Sequence, residues 1–144
     1  MQQTLKKTYS KQVEIHAQDM DIISEDQKFL KNTLAFIEKN ITNPNFSVEE
    51  LSRQMALSRV SLYKRLLALT GKTPVECIRT IRLKRAVQLL EKSKLSIASI
   101  AYEVGFNNPT YFSKVFKEEY GTLPSEYLNE LRKREPTQVV NEFE

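Results

Sequence analysis

Beyond Phe46 the chain repeats itself, and that repeat constrains its fold more than any other feature. Residues 47–78, SVEELSRQMALSRVSLYKRLLALTGKTPVECI, run parallel to residues 96–128, SIASIAYEVGFNNPTYFSKVFKEEYGTLPSEYL. Ser47, Leu51, Met55 and Leu57 return as Ser96, Ile100, Val104 and Phe106 at an offset of 49. Leu62, Leu66, Gly71, Pro74 and Ile78 return as Phe112, Phe116, Gly121, Pro124 and Leu128 at 50, so the second copy holds one extra residue in its turn. The periods of common solenoids do not explain such a pattern, whereas a duplicated supersecondary unit does.

Each copy reads as a short capped helix, a tight turn, and a longer helix that stops at glycine. Ser47 and Ser96 are the N-cap candidates, and Glu50 completes a capping box in the first copy only. Gly105 suits a turn that other residues adopt only at a cost, although the first copy has Ala56 there. Gly71 and Gly121 stop the longer helices, and Pro74 and Pro124 each open the helix that follows. Between the copies, residues 73–93 read as one long helix whose apolar side chains, among them Ile78, Ile81, Leu83, Ala86 and Leu90, spread round most of its circumference. A soluble helix of that kind must be covered on several sides, so each unit is expected to pack on part of it.

Few glycines and prolines, no tryptophan and abundant Leu, Ile, Lys, Glu and Arg agree with an all-α protein. The expected architecture is two helix-turn-helix subdomains joined by a long linker helix and preceded by an extra N-terminal helix. In residue bounds, 1–23 read as a linker, with a brief alternation at Val13 and Ile15 that suits a short strand, and 24–41 as the N-terminal helix started by Ser24. Residues 47–72 form the first helix-turn-helix, 73–93 the linker helix, 96–134 the second helix-turn-helix with a C-terminal helix, and 135–144 a tail; 24–134 together make one domain.

One cysteine, Cys77, precludes an internal disulfide, and with His16 as the sole histidine a Cys/His zinc cluster is excluded. Neighbouring carboxylates such as Glu118 and Glu119 diverge along a helix instead of facing one another. No catalytic residue, metal or cofactor is therefore expected. Met1 to Ser10 is polar, and no segment approaches a membrane span, so the expected setting is cytoplasmic. Charge is unevenly spread: residues 47–134 hold 16 Lys and Arg against 9 Asp and Glu, whereas 1–46 hold 6 of each. That excess favours a polyanionic partner.

A short helix, a turn and a second helix together present the second helix to the DNA major groove. At about 100° per residue, Arg59, Val60, Tyr63 and Lys64 lie beside the buried stripe of Leu62, Leu66 and Leu69 and face outward. In the second copy Phe112, Val115 and Phe116 turn inward, leaving Pro109, Thr110, Ser113, Lys114 and Lys117 outside. Arg and Lys donate to guanine, hydroxyls serve either role, and apolar atoms meet thymine methyls. The base-reading candidates are Arg59, Val60, Tyr63, Lys64, Thr110, Ser113 and Lys114. Helix starts at Ser47, Ser58, Ser96 and Asn108, with Lys117 and Arg82, are the phosphate candidates. For Arg82 and Arg85, burial with an acidic partner is an equal alternative.

Residues 47–131 resemble the DNA-binding domain of the AraC/XylS family of transcription regulators. The most specific stretch is AYEVGFNNPTYFSKVFKEEYGTLPSEY, where Ala101, Gly105, Phe106, Tyr111, Phe112, Phe116, Gly121, Pro124 and Tyr127 fall on the family pattern. The resemblance implies groove-facing roles for Val60, Tyr63, Lys64, Thr110, Ser113 and Lys114; Pro109 stands where the family often has a polar residue. The run from Asp26 to Leu90 also resembles the C-terminal output domain of hybrid two-component proteins of Bacteroides-type bacteria, which implies a fragment of a larger protein. Double-stranded DNA is then the partner, and a second copy of the full-length protein and RNA polymerase are the candidate protein partners. The competing reading is a helical interaction module whose basic groove takes an acidic protein.

Overall fold

The computed structural model describes the backbone of residues 13–134 and the side chains of residues 25–134. Among these residues there are seven helices and no strand: α1 Val13–Asn40, α2 Val48–Met55, α3 Arg59–Thr70, α4 Pro74–Lys92, α5 Ile97–Glu103, α6 Pro109–Tyr120 and α7 Pro124–Arg134. The duplicated pairs are α2/α3 and α5/α6, and α4 is the rod between them.

Local chemistry sets most of the boundaries. Ser47 Oγ accepts from the Glu50 amide while Glu50 accepts from the Ser47 amide, and Thr73 with Glu76 repeats this reciprocal cap at the start of α4. In α4 the Thr73 amide holds the Glu76 carboxyl below its ordinary range. Gly71 and Gly121 end α3 and α6 at positive φ. At the end of α2 the left-handed residue is Ala56, φ 58°, at the position where the second copy has Gly105, φ 94°. Both turns therefore pass through positive φ at this position, and the first carries the extra strain of a side chain.

The N-terminal helix departs from expectation. It begins at Val13, eleven residues before Ser24, and takes in Val13 and Ile15, which alternation had suggested for a strand. No proline or glycine interrupts the chain before Pro44, and Glu14, Ala17, Gln18 and Met20 are good helix formers, so Ser24 with Glu25 and Asp26 lies inside a helix instead of starting one. Residues 1–12 and the tail 135–144 lie outside the described residues.

Two cores flank α4. The first joins Phe29, Ile37 and Ile41 from the N-terminal helix region to Phe46, Leu51, Leu62 and Leu66, closing on Cys77 and Ile78. The second joins Leu83, Ala86 and Leu90 to Ile100, Val104, Phe106, Phe112 and Phe116. The N-terminal half of α4 thus belongs to one unit and its C-terminal half to the other. Its apolar circumference is explained by that shared use.

Candidate nucleic-acid interface

The helix α3 is pinned by its inner face. Leu62 and Leu66 are fully buried and Leu69 half-buried, which turns Arg59, Val60, Tyr63 and Lys64 outward. Val60 is 62% exposed and Tyr63 47%, high values for side chains with apolar bodies. In α6, Phe112, Val115 and Phe116 are buried, Thr110, Lys114 and Lys117 are exposed, and Ser113 is half-buried. Pro109 occupies the first position of α6, where its lack of an N–H costs nothing, and is half-buried.

These faces border one another through α4. A shallow, mainly apolar groove runs between the outward face of α3 (Arg59, Val60, Tyr63, Lys64) and the start of α4 (Thr73, Pro74, Val75), with Val48 of α2 as its other edge. An adjoining cleft shares Val48 and Val75 and continues past Ser47 and Arg79 to Phe106 and Tyr111. The exposed face of α3 and the first turn of α6 therefore open onto one continuous strip. Val75 and Arg79 of that strip have no functional role in the sequence reading. Val75, an apolar residue near the start of α4, is 57% exposed, and half-buried Arg79, one turn further on, lines the same cleft. Their i,i+4 spacing was the available signal.

The four cap residues are engaged in their own helices, which limits what each has left to give. Ser58 Oγ accepts from the Ser61 amide, and Ser47 Oγ from Glu50, so both hydroxyl protons are free to be donated. Asn108 Oδ1 accepts from the Thr110 and Tyr111 amides, leaving its side-chain NH2. Ser96 differs, because its hydroxyl donates to Ser99 Oγ at 3.0 Å as well as accepting from the Ser99 amide. Lys117 lies exposed in the last turn of α6.

Arg82 is a correction to the phosphate set. Only 6% exposed, it sits between the two cores and donates to the carbonyl oxygens of Ile41 (3.0 Å), Val104 (3.1 Å) and Asn43 (3.2 Å). No carboxylate is among these acceptors, so the alternative of an acidic partner is not what the fold uses either. Burial draws the guanidinium below its ordinary pKa. Three of its five N–H groups are thus turned to main-chain carbonyls, and what remains of Arg82 shows only at the floor of the cleft that Arg79 lines, so its main role is inside the fold. Arg85, by contrast, is exposed and bonds Gln88 at 3.2 Å.

Comparison with known proteins yields consistent relatives. A family model described as a helix-turn-helix domain matches residues 51–130. A histidine kinase P4 of Formosa agariphila is 41% identical over 125 residues, which cover 87% of this chain and 9% of that protein; the chain thus spans under a tenth of that relative's length. The DNA-binding domain of AdpA, a global transcriptional factor solved in complex with a target DNA, superposes with a TM-score of 0.69 at 30% identity, covering 74% of this chain and 96% of that one. A transcriptional regulator of the AraC-type DNA-binding class from Chromobacterium violaceum gives a TM-score of 0.69 at 25% identity over 75% of this chain and 96% of that one.

Proposed function

Since the chain belongs to the AraC-type helix-turn-helix family of DNA-binding transcription regulators, a family of binding domains and not of enzymes, we propose that it reads one operator with two helices at once. In this reading α3 and α6 enter successive major-groove segments on one face of the duplex, about one helical turn or roughly 34 Å apart. Arg59 and Lys64 supply donors for guanine, Val60 and Tyr63 meet thymine methyls, and Thr110, Ser113 and Lys114 read the second segment with hydroxyls and charge. Ser47, Ser58, Asn108 and Lys117 hold phosphates and set register through their side chains, and Ser96, whose hydroxyl is already engaged, through the backbone amides at its helix start; Arg79 joins them from the cleft between the units. The binding unit extends over residues 24–134, built from 47–72, 73–93 and 96–134 on the N-terminal helix. The observation that carries the proposal is the shared strip: the free face of α3 and the start of α6 meet along one surface through Val48 and Val75.

Selection of bound duplexes from a random pool tests it. The expected product is a two-part sequence that competes far better than a scrambled duplex, and the double variant Lys64→Glu, Lys114→Glu should lose that preference while its helical circular dichroism is kept. Undiminished operator binding by the double variant would remove these two faces from the interface. Equal competition by scrambled DNA would favour a basic groove for an acidic protein.

The 41% match to a small part of a histidine kinase supports a second level of the proposal, that this domain is the output end of a two-component signalling protein. A second copy of the full-length protein and RNA polymerase are the candidate protein partners in such a role. Sedimentation of the chain with and without its selected duplex separates a monomeric reader from a dimer.

A further inference from the structure

Arg82 bonds three separate parts of the molecule to the rod that carries it. Its acceptors come from three places: Ile41 just after α1, Asn43 in the loop that leads into the first unit, and Val104 at the end of α5 in the second unit. On α4 itself, Cys77 and Ile78 before it close the first core, and Leu83, Ala86 and Leu90 after it close the second. The seam is tight. A Cβ added at Gly105, already at φ 94°, would run into both the Arg82 guanidinium and the Ile41 carbonyl oxygen.

The hydrophobic effect is non-directional, and side-chain packing alone sets helix crossing angles with a scatter of about 15 to 20°. Hydrogen bonds are directional, and the planar guanidinium offers five N–H donors in a rigid fork, so one side chain can hold three carbonyls at set angles. A buried apolar residue of equal volume would fill the seam without fixing that angle. We propose that Arg82 is a positioning residue that sets the distance and rotation between α3 and α6, so that the domain measures the spacing of its two half-sites as well as their sequence. The inference rests on the reading that both helices bind one duplex together.

One base pair added between the half-sites moves the second by about 3.4 Å and rotates it by roughly 35°. The experiment takes the duplex selected by the unmodified chain and builds versions one base pair longer and one shorter between the halves, plus duplexes holding a single half. Dissociation constants are measured for the parent, Arg82→Lys and Arg82→Met. The parent should bind the altered spacings at least about 30-fold more weakly. For Arg82→Met that penalty should shrink below about 5-fold, with roughly a 10-fold loss on the selected duplex and parental affinity for single halves, as expected when preorganisation alone is lost. Arg82→Lys, which keeps the charge but not the fork, should fall between them.

An undiminished spacing penalty in a folded Arg82→Met overturns the assignment, as does an equal loss on single and paired halves, which is what general structural damage would give. Should Arg82→Met not fold, Arg82→Lys decides by the same comparison. The parent decides without any variant if it tolerates altered spacing as well as the selected one, since no ruler then exists. A pool that yields no preferred sequence at all defeats the DNA reading itself; a clear two-part sequence with a spacing penalty indifferent to residue 82 defeats only this inference.

Discussion

Ser52 shows how much polar chemistry the first unit carries without using it. Its hydroxyl is the one buried side-chain oxygen without a hydrogen-bond partner among the described residues, in a side chain 6% exposed. Burying an unpaired hydroxyl costs about 1 to 3 kcal/mol, so Ser52→Ala is expected to leave the melting temperature unchanged or raise it, as thermal denaturation followed by circular dichroism would show; a fall of several degrees would mean that the hydroxyl has a partner. Val60 makes the opposite case, an apolar group kept in the open. Trimming it to alanine should cost on the order of 1 kcal/mol of binding to the selected duplex, by the value of the apolar surface removed. That loss should vanish when thymines of the first half-site are replaced by uracil, which lacks only the 5-methyl group. Equal losses on both duplexes would remove thymine methyls as the target of Val60.

At the scale of single elements, caps and turns carry the specification. Ala56 holds a left-handed conformation that glycine holds freely, and Ala56→Gly is expected to stabilise the domain by roughly 1 kcal/mol, seen as a higher urea midpoint. A lower midpoint would mean that the methyl group of Ala56 contributes more than its backbone strain costs. These elements were legible in the sequence because their boundary signals are local: Ser47 with Glu50, Thr73 before Pro74, Gly71, Gly121. The α1 start was not legible, because Ser24 with Glu25 and Asp26 mimics a cap and nothing upstream marks a boundary. The outward faces of α3 and α6 could be projected from helical period alone. The role of Arg82 could not, since its acceptors are main-chain carbonyls 22, 39 and 41 residues away, and every residue has one of those. The exposure of Val75 was hidden for a related reason: a wheel gives directions, and only packing says which directions are covered.

For the whole molecule, the N-terminal helix is part of the fold and not an appendage to it. The family match begins at residue 51, yet the first core includes Phe29, Ile37, Ile41 and Phe46, and Arg65 of α3 stacks on Phe29 and bonds Asp26 at 3.2 Å. That ion pair is exposed and adds little; burial of the four apolar side chains, at about 2 kcal/mol each, matters far more. A chain starting at Ser47 should therefore lose the unfolding transition of its first unit in urea while the second unit stays folded, and a midpoint equal to the parent's would refute this account. The seam at Arg82 has a consequence of a different kind. Its guanidinium is almost wholly buried and held by neutral carbonyls, so dissolved ions have no exposed ion pair there to screen. Affinity for a duplex, made of phosphate contacts, falls steeply as ionic strength rises. Potassium chloride should thus loosen the hold on DNA without altering the shape that does the holding, leaving tightness adjustable by the medium and geometry not.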